Sequence, residues 1–281
     1  MLPILVSVTY LAIRIPAVEQ ESNNNLESIL RLKTGQIESW LRERQGDGNS
    51  LEESVYLAQG IQQFIKHPND SFINRALLKR FGSLKRSYDY ESVLLVDTQG
   101  KLLFGLGNQL DVSSAVQTLF PHVITNKETE HTDLYREENG HIHMDWVVPI
   151  LGGPVAEGPV IAFIVLRIDP NRFFYPMIQS WPVPSKSAES LLVRQDGDSV
   201  LYMNELRFNK NSALNLRQSL SQSTLPAVIA VAADKLGFVQ GVDYRGVKVL
   251  CGYSPIEGTQ WRLEVKIDRE EVLAPMWSLL G

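Results

Sequence analysis

Two prolines placed just after an amphipathic stretch, and followed at once by two short apolar runs, constrain this chain more than any other feature. The stretch is 175–204, YPMIQSWPVPSKSAESLLVRQDGDSVLYMN. Residues 171–181 have the apolar spacing of a short helix, and Pro182 and Pro184 stop it by removing backbone donors and holding the preceding residues extended. The runs 191–194 and 200–203 flank Asp196-Gly197-Asp198, which predicts a β-hairpin. A helix end, a stiff turn and the start of a sheet in so short a stretch predict a junction between two modules.

Length agrees with that reading, since 281 residues suffice for two ordinary domains and a 44% hydrophobic content suits packed cores. A net charge of -5, with basic residues scattered among acids, gives no cationic face for phosphates, so nucleic acid is set aside as a partner. One cysteine, Cys251, excludes an internal disulfide and a thiolate zinc cluster, and its apolar surroundings predict a buried structural thiol. At the two ends, MLPILVSVTYLAIRI (1–15) and VLAPMWSLLG (272–281) read as parts of membrane spans, the first being too short to cross a bilayer by itself.

Between the ends, the pattern predicts an α+β chain. Apolar residues at Leu26, Ile29, Leu30, Ile37, Trp40 and Leu41 predict one long helix over 18–50, closed by Gly46-Asp47-Gly48-Asn49-Ser50. Ser50 and Glu53 then suggest a capping box for a helix over 51–66, with another over 71–87. Strands are predicted at 92–97 and 101–104, broken by Gly105 and Gly107, followed by a helix over 111–125 and strands at 132–136, 141–150 and 160–168. The second module has strands at 190–193 and 200–203, a long loop with a short helix over 205–222, a helix over 225–234, and strands at 237–243, 247–253 and 261–267. The predicted organisation is 1–17 partial membrane segment, 18–50 long helix, 51–170 first module, 171–267 second module and 268–281 exit helix. Each module carries an antiparallel sheet of about five strands with flanking helices.

The known catalytic and phosphate-binding motifs are absent from the sequence. The richest polar constellation surrounds Asn139-Gly140, a pair that favours a tight turn with positive φ. If partners across it sum to 278, Asp133 faces Asp145, Tyr135 faces His143, and period-two alternation puts all four on one sheet face. Two carboxylates, a phenol and an imidazole suit a small polar ligand, and also resemble half of a metal site or a solvated face of charge. The other face, Ile142, Met144, Trp146 and Val148, is an apolar stripe and reads as core. A hydrolase using Asp133, His143 and Asp145 is the enzymatic alternative, but no nucleophile or oxyanion donor accompanies them. Around the junction, Tyr175, Gln179, Trp181, Glu205 and Arg207 form a second polar and aromatic group.

The junction stretch, the segment KTGQIESWLRER (33–44) and the late hairpin GVDYRGV (241–247) together resemble double Cache domains. These are the tandem PAS-like extracytoplasmic sensors of bacterial and archaeal histidine kinases and diguanylate cyclases. The resemblance spans about residues 20–275. It implies a non-catalytic sensor without a cofactor, outside the cytoplasm and held to the membrane by flanking helices; the apolar spacing of the long helix separately suggests a homodimer paired through it. It also implies a small-molecule ligand in the membrane-distal module, on the Asp133, Tyr135, His143 and Asp145 face, with Arg86, Tyr88 and Tyr90 on the opposite wall. The spaced residue set of the family's amino-acid-binding branch does not occur in this sequence. A protein-interaction module is the other functional expectation.

Overall fold

The computed structural model describes residues 2–278 and, within them, the side chains of residues 12–277. Helix α1 (Leu2–Glu52) is continuous. Its buried positions Leu26, Leu30, Lys33, Ile37 and Trp40 alternate in steps of four and three, so one stripe of the helix enters the core. The stripe expected to pair with a second copy is therefore covered within the chain, and Lys33 occupies one of its positions.

The helix does not stop at Gly46–Ser50 as expected, and tertiary contacts explain why. A glycine in a helix interior costs about 1 kcal/mol relative to alanine. Here Asp47 accepts from the buried Tyr90 hydroxyl at 3.0 Å and pairs with Arg44 at 3.2 Å. Glu52 receives both the amide and the hydroxyl of Thr129, at 3.0 and 2.9 Å. Gly48 is needed for this approach, because a Cβ there would lie 2.5 Å from the Thr129 methyl. The next helix, α2 (Val55–Lys66), is capped by Ser54, whose hydroxyl accepts from the Leu57 amide, and not by Ser50.

The chain divides into two compact units, residues 40–173 and residues 1–39 with 174–281. In the first, α2 and α3 (Ser71–Ser87) precede β1 (Ser92–Asp97) and β2 (Leu102–Gly107). Next come α4 (Ser114–Gln117), α5 (Phe120–Asn126), β3 (Glu130–His131), β4 (Tyr135–Arg136), β5 (Ile142–Leu151) and β6 (Val160–Ile168). The antiparallel sheet runs β2-β1-β6-β5-β3, with β4 also paired to β5. Leu94, Val96, Val147, Phe163 and Val165 pack one face against Val116, Phe120 and Val123 of α4 and α5. On the other face, Trp146 meets Trp40 of α1 edge-on, with ring centroids 5.8 Å apart.

Two expectations need correction here. Strand β2 continues through Gly105 to Gly107, which has φ +141° and pairs with Ser92; a Cβ at Gly107 would lie 2.5 Å from the Glu91 carbonyl oxygen. The single helix expected over 111–125 is two short helices, the second starting at Phe120 with Pro121 in its first turn, where a missing donor costs little.

In the other unit, α6 (Phe174–Gln179) leads into β7 (Glu189–Asp196), β8 (Ser199–Tyr202) and β9 (Arg217–Ser219). These are followed by α7 (Pro226–Ala232), β10 (Gly237–Val242), β11 (Lys248–Pro255), β12 (Arg262–Asp268) and α8 (Arg269–Ser278). The second sheet has the order β10-β11-β12-β7-β8-β9 and is antiparallel throughout. Leu191, Val193, Val200 and Tyr202 pack against Leu225, Ala227 and Ala230 of the α7 segment. The Lys33 ammonium donates to the Met177 and Ile178 carbonyls at 3.1 and 2.8 Å, at the end of α6 where helical carbonyls lack partners. No helix forms over 205–222. The Glu205 carboxylate organises that loop instead, accepting the amides of Asn211, Ser212 and Ala213.

The architecture is thus a long N-terminal helix and two antiparallel sheets with flanking helices, each sheet having six strands where about five were expected. Among the described residues, no helix is long and apolar enough to cross a membrane. The expected membrane-flanking ends lie partly outside those residues.

Candidate functional site

Three neighbouring strands build the polar group of the first unit. Alternation along β5 turns Met144 and Trp146 toward the α1 side and His143 and Asp145 toward the α4–α5 side. Strand β6 pairs Arg167 with Asp145, and β4 pairs Tyr135 with His143. Arg167 and Asp145 are 0% exposed and His143 is 1% exposed.

Geometry and charge are tightly coupled. Arg167 Nε and Nη2 approach Asp145 Oδ1 and Oδ2, both at 3.2 Å, a bidentate pairing. The Tyr135 hydroxyl donates to Asp145 Oδ2 at 2.5 Å and accepts from Arg167 Nη2 at 3.3 Å. His143 Nε2 lies 2.8 Å from Gln109 Oε1, and its Nδ1 is 3.2 Å from Glu91 Oε2. Burial, followed by the Asp145 charge, pushes the Tyr135 phenol up. Burial, then Arg167, lowers the His143 imidazole, which favours its neutral form. Burial also raises Glu91 and Glu137, in both cases against the opposing pull of nearby arginines. For Arg167 burial is the largest single influence and acts downward, but Asp145, Tyr135 and Glu137 together outweigh it and the net shift is upward.

Two nitrogens of this network, His143 Nδ1 and Arg167 Nη1, are left over. Arg167 Nη1 is buried and has no hydrogen-bond partner among the described residues, and the same holds for Glu137 Oε1. Nη1 stands 3.7 Å from Glu137 Oε1 and 3.8 Å from Asp111 Oδ1, close enough for attraction but too long for a hydrogen bond. Both acids border a cavity of about 620 Å³, whose lining also includes Ser113, Tyr135, Arg136 and Glu138. A buried donor without a partner costs roughly 1–3 kcal/mol; Arg167 itself does not line the cavity but stands behind Asp111 and Glu137, which do.

The structure therefore brings together Tyr135, His143 and Asp145 but not Asp133. That side chain is exposed, with Oδ1 accepting the Leu134 amide at 2.7 Å. A bulge is the cause. Glu130 and His131 pair with Val147 and Trp146, summing to 277, whereas Tyr135 and Arg136 pair with His143 and Ile142, summing to 278. The acid–base trio of Asp133, His143 and Asp145 is accordingly not assembled, and Asp145 is already committed to Arg167. Arg86, Tyr88 and Tyr90 lie elsewhere. Tyr90 is buried against Asp47, Tyr88 and Arg86 are exposed, and the Arg44 guanidinium lies 5.8 Å from the centroids of both tyrosine rings. Arg167, Glu137, Glu91, Gln109 and Asp111 escaped the sequence reading. Arg167 had a signal: it is the one charge in the apolar run 160–168, and a charge inside a buried strand needs a partner. Among the described residues, no group of three or more His, Cys, Asp or Glu side chains is placed to hold a metal.

In the other unit, Gln179, Trp181, Glu205 and Arg207 line a separate cavity of about 530 Å³. Tyr175 is buried, its hydroxyl bound to the Met203 carbonyl at 2.7 Å.

The long helix and paired antiparallel sheets are the fold of double Cache, PAS-like sensor domains, which the solved structures bear out. The ligand-binding domain of the Pseudomonas aeruginosa PAO1 amino acid chemoreceptor PctB, in complex with L-Arg, is similar at 16% identity and TM-score 0.57, over 91% of this chain and 98% of that one. The ligand-binding domain of the Campylobacter jejuni chemoreceptor Tlp3, in complex with 4-methylisoleucine, gives 12% identity and TM-score 0.63 over 91% and 94%. The ligand-binding domain of Mlp24 with asparagine gives 11% and 0.57 over 93% and 97%. No protein-family model and no curated protein sequence matches the chain.

Proposed function

We propose that this chain is the extracytoplasmic, non-catalytic ligand-sensing part of a membrane signalling receptor, and that it takes a small zwitterion, an α-amino acid or a close analogue, beside Arg167. The observation that carries this reading is the buried Arg167 Nη1, without a hydrogen-bond partner among the described residues, within 4 Å of Asp111 and Glu137, two acids that themselves border a cavity. A ligand carboxylate would be met by Arg167 Nη1 and Arg136, and a ligand ammonium by Asp111 and Glu137. The relatives in fold named above hold L-Arg, 4-methylisoleucine and asparagine, which supports the same ligand class. Binding would favour one packing of the sheet and its covering helices, a population shift that α1 and α8 could carry toward the membrane. A homodimer through α1 would use Ile29 and Leu32, which the core leaves half-buried and exposed.

Titration of the chain with the common amino acids, and with monoamines and monocarboxylates as controls, tests this. The expected result is saturable binding of at least one amino acid, weakened about tenfold by Asp111→Asn or Glu137→Ala. Absence of any amino acid response would remove the ligand class. A second reading, a surface for a partner protein, is favoured by Tyr56 and Phe72, 90% and 75% exposed on α2 and α3. Loss of signalling in a Tyr56→Ser/Phe72→Ser variant with ligand binding intact would select it.

A further inference from the structure

The cavity of about 530 Å³ in the unit formed by residues 1–39 and 174–281 has a chemistry of its own. Its lining is apolar at Trp181, Val183, Pro184 and Leu206. Two carboxylates also line it, one ion-paired and one fixed by backbone amides. Glu189 accepts from the Arg207 amide at 2.6 Å and the Tyr244 hydroxyl at 2.9 Å, and pairs with Lys266 at 3.2 Å. Glu205 is held by the three loop amides described above. The cations are not balanced in this way. Arg207 donates to two neutral carbonyls, Ala188 at 2.8 Å and Ser185 at 3.2 Å, which fix the guanidinium without neutralising it. Lys210, exposed at the same cavity, makes no hydrogen bond or ion pair among the described residues.

A further polar group lacks a partner. Ser190 lines the cavity and is 1% exposed, and its hydroxyl has no hydrogen-bond partner among the described residues. Such a hydroxyl is left unsatisfied at a cost unless something in the cavity bonds to it. Two cations outside any ion pair among the described residues, an indole and aliphatic wall, and one buried hydroxyl suit a small anion with an apolar body.

We infer that this cavity is a second binding site, distinct from the one beside Arg167, and that it takes a small monocarboxylate with an apolar or aromatic body. The carboxylate faces Arg207 and Lys210, and the body lies along Trp181, Val183 and Leu206. This goes beyond the zwitterion reading, since it uses other residues and selects against an ammonium group.

Calorimetric titration of the whole chain with phenylacetate tests it, with benzylamine and 2-phenylethanol as the cationic and neutral counterparts. Phenylacetate is expected to saturate the protein at millimolar concentration or below, with each counterpart at least about tenfold weaker. Lys210→Glu, an exposed substitution that leaves the fold alone, is expected to weaken phenylacetate about fivefold or more, and Trp181→Ala by a similar factor. Glu137→Ala, in the other unit, is expected to leave phenylacetate binding unchanged. No saturation up to about 10 mM, a range that already corresponds to very weak binding, would overturn the inference. So would equal binding of benzylamine, or indifference to both Lys210→Glu and Trp181→Ala. Loss of phenylacetate binding in Glu137→Ala alone would move it to the Arg167 cavity and overturn the second site while sparing the first.

Discussion

Removing either member of the Arg167–Asp145 pair should cost far more than removing both. Each side chain is 0% exposed, and they meet through two contacts of 3.2 Å. In Arg167→Leu the Asp145 carboxylate keeps the Tyr135 hydroxyl at 2.5 Å but loses the cation that faces it, as Glu137 and Asp111 lose the guanidinium they flank. An uncompensated buried charge of this kind costs about 3–5 kcal/mol. Asp145→Leu should cost as much, because it strands the guanidinium. In the double variant both charges leave together, and the residual loss is the Tyr135 hydroxyl's acceptor, about 1–3 kcal/mol. The double variant should therefore be more stable than either single one, and the coupling between the two sites should be several kcal/mol. Urea unfolding followed by tryptophan fluorescence reads this out in the right place, since Trp40 and Trp146 pack edge-on in the same unit. In thermal terms a single variant should lose on the order of 10–15 °C. Single variants costing less than about 1 kcal/mol, or a double variant equal to the sum of the two, would refute the view that this is a desolvated, mutually dependent pair.

Two further predictions concern pH. Burial lowers Lys33 to about 8 from its ordinary value near 10.5, so between these limits the unfolded chain binds more protons and stability should rise with pH. Lys33→Met should flatten that rise, as measured by chemical denaturation from pH 7.5 to 10.5. Glu264 behaves oppositely: burial, opposed by Lys266, raises it to about 8 from 4.5, so its contribution is complete below pH 4.5 and is lost as pH rises through 8. Glu264→Gln should abolish the corresponding fall, and an unchanged slope between pH 5 and 8 would show that Glu264 is not the group responsible.

The regular parts of the fold were legible because local chemistry and burial agree there. Residues 92–97 and 160–168 are apolar, β-branched runs, and both form strands with the expected limits. Asn139-Gly140 set the turn, with Gly140 at φ +88°, and placed Tyr135 opposite His143 as expected. What failed was decided at a distance. The helix crosses Gly46 and Gly48 because Tyr90 and Thr129, far along the chain, bind Asp47 and Glu52. Strand β2 crosses its glycines because Ser92 and Glu91 press against Gly107. The candidate site was half legible for the same reason: His143 and Asp145 lie on a strand whose alternation can be counted, whereas Arg167, Glu137 and Gln109 reach them from other elements.

The bulge between His131 and Tyr135 sets what kind of genetic change this site can absorb. Thr132, whose hydroxyl accepts the Asp145 amide at 3.0 Å, and Tyr135 are an odd number of residues apart, yet both serve the same face. In an unbroken strand they would point oppositely, so the extra residue acts as a parity correction. Point substitutions at Asp133 leave that correction in place and are cheap. Deleting a single residue from 133–134 would make the ladder regular, the outcome a naive alignment would favour, and would carry the remaining residue toward the Met144 side of the sheet. Homologous sequences should therefore vary freely in letter at Asp133 while keeping the count between His131 and Tyr135 fixed.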